Sequence, residues 1–135
     1  MASTKEIRLG LKAALEAAFP EGYQISAYAL SSPSPPAFEV VPGRIGYHQT
    51  FGDDGGGLRA WSVVAYFSLT ADVASQQRAD AFFENDPVKA ALEADPTLGG
   101  VVDDLIVDDG EPVFLTVKGL QSPAVGGRWN LRILT

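Results

Sequence analysis

RAWSVVAYFSLT, Arg59–Thr70, is the stretch that decides the fold class. Trp61, Val63, Ala65, Phe67 and Leu69 fall on one side of an extended chain. Ser62, Val64, Tyr66, Ser68 and Thr70 fall on the other. This period-two alternation is that of a β-strand with one face against a core. Upstream, PAFEVVPGRIGYHQTF reads as one or two short strands interrupted at Pro42-Gly43, followed by the glycine-rich loop GDDGGG. Further upstream, YQISAYAL is expected to be a strand. SSPSPP, with three prolines that lack a donor, is an extended connection.

Helical signals flank these strands. Ser3 and Glu6 have the spacing of a capping box, and Ile7, Leu11, Ala14, Leu15 and Ala18 then repeat at helical spacing until Pro20 and Gly22. Asp72 is expected to cap the helix VASQQRADAFFEN, whose Ser75, Ala79, Phe82 and Phe83 share a face. Asp86-Pro87 predicts a cap with proline at the first helical position, opening the short helix PVKAALEA. Leu105–Val107 is a short apolar strand between acidic pairs, and PVFLTVKGL and GRWNLRILT are two more strands. The order α-β-β-β-α-α-β-β-β predicts a single α+β domain over residues 1–135. Its sheet is expected to be largely antiparallel or mixed, with the helices packed on one face.

Composition narrows the function classes. The 135 residues are 46% hydrophobic, with no apolar run of the roughly 18 residues that span a bilayer. The first residues lack the basic-then-apolar layout of a signal peptide. No cysteine is available for disulfides, thiolate nucleophiles or thiolate zinc sites. The formal charge of −7, with ten scattered basic residues and no two adjacent, argues against a surface that grips nucleic acid.

The chemistry-bearing candidates read as follows. DPTLGGVVDDLIVDDG, Asp95–Gly110, holds five aspartates, but apolar residues stand where an EF-hand loop needs ligands. A buried strand with solvated ends explains the pattern better than a metal site. GDDGGG lacks the Lys-Ser or Lys-Thr of a phosphate loop. His48 has no serine or cysteine motif beside it. Trp61 and Trp129 sit on apolar strand faces, whereas Arg128 and Arg132 alternate onto the opposite face and can meet acidic neighbours or another subunit.

Four features, taken in order and spacing, resemble the tail terminator proteins of long-tailed actinobacterial phages. They are the opening helix LKAALEAAF, the proline-punctuated strand region, GYHQTFG before a loop, and above all VKAALEADPTLGGVVDDLIV, Val88–Val107. The resemblance implies a hexameric ring of small α+β subunits, a structural virion part with no cofactor and no enzymatic activity. Such a ring caps the tail tube, stops its polymerisation and joins the tail to the head. The implied partners are further copies of the chain, the major tail tube protein, and the head-to-tail connector or stopper protein. DNA passes through without specific binding, and no membrane is involved. The implied location is the virion at the head–tail joint, after assembly in the host cytoplasm. Candidate subunit and tube contacts are His48, Gln49, Thr50, Phe51, Asp53, Asp54, Gly55, Gly56, Gly57 and Arg59, with the segment Ser31–Pro36 beside them. The alternatives are a head-completion, stopper or minor tail protein of the same joint, an Asp-dependent metal hydrolase, and a small host-directed binding module.

Overall fold

A computed structural model describes residues 3–19, 22–28, 30, 35–46, 58–69, 72–115 and 123–134. The elements are α1 (Thr4–Ala18), β1 (Gln24–Ser26), β2 (Ala37–Gly46), β3 (Leu58–Ser68), α2 (Val73–Asn85), α3 (Pro87–Glu93), β4 (Asp104–Leu115) and β5 (Ala124–Leu134). The strands form one sheet in the order β1-β2-β3-β5-β4. β1 runs parallel to β2 and every other pairing is antiparallel, so the sheet is mixed. The class is α+β.

Local capping chemistry sets the helix starts. The Ser3 hydroxyl accepts from the Glu6 amide and donates to the Glu6 carboxylate, both at 3.1 Å, which realises the expected capping box in a side-chain form. Asp72 accepts from the Ser75 amide at 2.8 Å, and Asp86 from the Lys89 amide at 3.1 Å. Asp86 also ends α2: its φ of 39° is left-handed, so one residue closes one helix and opens the next.

All three helices supply side chains to one face of the sheet. Ile7, Leu11 and Leu15 of α1, with Val88 and Leu92 of α3, are sealed against Phe38, Val40, Val63, Trp129, Leu131 and Ile133. Burying each such Leu or Ile contributes about 1.5–3 kcal/mol. Phe82 and Phe83 of α2 close the end of this core; the Phe83 ring stacks on Trp129 with centroids 4.8 Å apart. Gly110 and Gly127 make that stack possible, since a methyl group on either would come within 3 Å of the Trp129 or Phe83 rings.

One sequence expectation is narrowed and three are corrected. The stretch interrupted at Pro42-Gly43 is one continuous strand, with the irregularity absorbed as a register shift between Pro42 and Ile45. Leu105–Val107 and the strand beginning at Pro112 are also one, because β4 runs through Asp108-Asp109-Gly110 with a shift between Val107 and Asp109. The strand expected over YQISAYAL covers only Gln24–Ser26. Leu69, expected beside Phe67, instead packs with Val64 and Tyr66 on the other face. The strand ends at Ser68, after a register shift between Tyr66 and Ser68, so the alternation does not extend to Leu69.

Thr97-Leu98-Gly99-Gly100 is a left-handed turn, with φ of 50°, 72° and 94° at its last three residues. Glycine takes such φ without a Cβ penalty, which accounts for the pair Gly99-Gly100. Asp95 braces the turn through the Gly99 amide at 2.8 Å, and Leu98 is thereby pressed against Gly10 of α1.

Candidate interaction surface

The helices cover one face of the sheet, and among the described residues none covers the other. Glu39 and Val41 of β2, Ser62, Val64 and Tyr66 of β3, Arg128 and Asn130 of β5, and Phe114 and Leu115 of β4 line an open groove of about 460 Å³ there. Its floor is apolar at Val41, Val64 and Leu115, while its walls are polar.

Most of those polar groups are already committed. Glu39, 6% exposed, accepts from the Tyr66 hydroxyl at 2.9 Å and from the Leu30 amide at 2.6 Å. Burial pushes the Tyr66 phenol up to about 12, assisted by the hydrogen bond to Glu39 and that carboxylate's charge, while Arg128 pulls the other way. Ser62 donates to Asn130 at 3.1 Å, and Asn130 donates to Asp109 at 2.6 Å. The arrangement holds strands in register: the one hydroxyl here that meets a carboxylate, Tyr66 on Glu39, is buried and kept protonated by that burial.

The aspartate stretch lies along β4, which has no strand on its outer side among the described residues. Asp104 accepts from the Leu105 amide at 2.9 Å, and Asp108 forms an ion pair with Arg132 at 2.8 Å. Asp109 is held by Asn130, so two of these carboxylates are tied across to β5 and Asp104 to its neighbour's amide. Asp95 is likewise used in the turn before it. Acidic side chains, a register shift and Pro112, which has no N–H, are the means by which an edge strand resists pairing with stray chains. Among the described residues no group of three or more His, Asp or Glu is arranged to hold a metal ion.

Of the sequence-predicted contact residues, His48, Gln49, Thr50, Phe51, Asp53, Asp54, Gly55, Gly56 and Gly57 lie outside the described residues, as do residues 31–34. Arg59 belongs to β3; its side chain is buried and donates to the Thr4 hydroxyl at 3.2 Å, tying the strand to the start of α1. Arg132 meets an acidic neighbour, Asp108, as its alternation allowed. Sequence reasoning passed over Glu39, Tyr66 and Phe114. The available signal was the charged Glu39 on an otherwise apolar run, AFEVV, where a carboxylate needs a partner to be buried.

Outward-facing apolar groups sit near both ends of the sheet. Phe114 of β4 is 60% exposed, and Tyr28, just after β1, is 54% exposed with the Arg8 guanidinium 4.4 Å over its ring. No helix among the described residues is long and apolar enough to cross a membrane. No family model and no curated protein matches the chain.

Proposed function

We propose that the chain is a structural ring subunit of a long-tailed phage, a tail terminator that caps the tail tube and joins it to the head. The observation that carries this reading is the strand order, which puts two unlike edges, β1 and β4, at opposite ends of one sheet. A ring needs two different patches on each copy, one meeting the other on its neighbour, and unlike edges can supply them. The resemblance adds the identity of the ring. Its most specific segment, Val88–Val107, comprises most of α3, the left-handed turn and the first part of β4.

The commitment of Asp108 and Asp109 to β5 favours this structural role over an Asp-dependent metal hydrolase. In the proposed role the chain partners with its own copies, the tail tube protein and the head connector, and DNA traverses the ring. The net charge of −7 suits a conduit that must not retain DNA.

The test is to add the purified protein to polymerising tube protein from the same phage and to image the tubes. Growth should stop, with a ring of extra density at one tube end. Unchanged growth together with binding to separately purified filled heads would move the protein to a head-side stopper role. Binding to neither would end the proposal.

A further inference from the structure

We infer that neighbouring copies meet edge to edge, the β4 edge of one against the α1–β1 flank of the next; this rests on the ring reading above. The two edges carry opposite charge. Asp103–Leu115 holds five carboxylates and no lysine or arginine, an excess over the two arginines of β5 beside it, Arg132 on Asp108 and Arg128 opposite Glu111. Three of those carboxylates are used internally, whereas Asp103 and Glu111 have exposed side chains with no polar partner among the described residues. At the other end of the sheet, α1 packs on β1 and β2. Its flank toward α3 is lined by Gly10, Ala13, Ala14 and Ala17. Helical periodicity therefore turns Lys5, Arg8 and Lys12, with Glu16, to the opposite flank, where Arg8 donates to the Ala27 carbonyl just after β1. Lys5 is exposed and has no polar partner among the described residues, and Lys12 only approaches Glu16, at 3.9 Å.

Each edge also presents one aromatic ring, Phe114 three residues beyond Glu111 on β4 and Tyr28 under the Arg8 guanidinium. An exposed aromatic within a charged rim is the composition of an interface centre. Pro112 and the register shift at Val107/Asp109 oppose backbone pairing along β4, so side chains make this contact and the sheet is not extended from copy to copy. Matching the acidic edge of every copy to the basic flank of the next is head-to-tail, which closes into a ring at the right rotation.

The experiment is sedimentation velocity of the full chain across a concentration series, with charge-reversed variants. Glu111→Lys, and separately Lys5→Glu with Lys12→Glu, should each raise the concentration for half-association by about tenfold or more. Combining all three reversals should restore association to within about threefold of the unmodified chain. Thermal unfolding controls for folding, since all three side chains are on the surface. Association that is indifferent to these reversals would overturn the edge contact while leaving the ring reading intact. An unmodified chain that stays monomeric throughout, on tube ends included, would overturn both.

Discussion

The Asp86 carboxylate oxygen that caps α3 also accepts the indole N–H of Trp129, at 3.0 Å. A helix junction and the interior strand β5 are thereby joined through one atom, since the same oxygen takes the Lys89 amide. Asp86→Ala removes a cap worth about 1 kcal/mol. It also strands the indole N–H, at a cost of about 1–3 kcal/mol. The expected loss is about 2–4 kcal/mol by urea unfolding. Asp86→Asn keeps an acceptor and tolerates the left-handed φ, so its loss should stay below about 1 kcal/mol. Equal losses for the two variants would contradict this role.

The Phe83–Trp129 stack depends on glycines opposite it. Gly110→Ala would bring a methyl within 2.7 Å of the Trp129 ring, and the expected cost is about 1–3 kcal/mol. Near-ultraviolet circular dichroism should report the displaced indole, and an unaltered tryptophan signal would count against the packing described.

Tyr66 links stability to alkaline pH. Its phenol is raised to about 12 in the folded chain, against about 10 when unfolded. A raised pKa means that its contribution is fully present below pH 10 and is lost as pH climbs toward 12. Tyrosinate absorbance should reveal a step near pH 12 that Tyr66→Phe abolishes. That variant, by taking a donor from buried Glu39, should lose about 1–2 kcal/mol at neutral pH. Its stability should also fall less between pH 10 and 12 than that of the unmodified chain.

Local chemistry was legible in the sequence and long-range pairing was not. Ser3, Asp72 and Asp86-Pro87 mark helix starts because a cap acts within three residues, and all three open helices as expected. The alternation of Trp129, Leu131 and Ile133 likewise finds its core face. Asp108-Asp109 reads as the solvated end of a short strand because nothing local reveals that β5 holds it in the sheet through Asn130 and Arg132. Glu39 is similar: its partner Tyr66 lies 27 residues away, so the pair exists only once β2 and β3 are aligned.

Phe114 separates stability from assembly. At 60% exposure its ring contributes little to the isolated subunit, so Phe114→Ala should leave the urea midpoint nearly unchanged. The same change at an interface centre costs about 2 kcal/mol or more per contact, and self-association should weaken by about thirtyfold. A large stability loss with unaltered association would reverse that assignment.

The central claim is a ring, and native mass spectrometry of the unmodified protein at high concentration, paired with negative-stain imaging, tests it most directly. A discrete closed oligomer is expected, six copies by the resemblance, with a central opening visible in end views, free in solution or assembled on tail tubes. A strict monomer at every concentration, with no density added to tube ends, would contradict it.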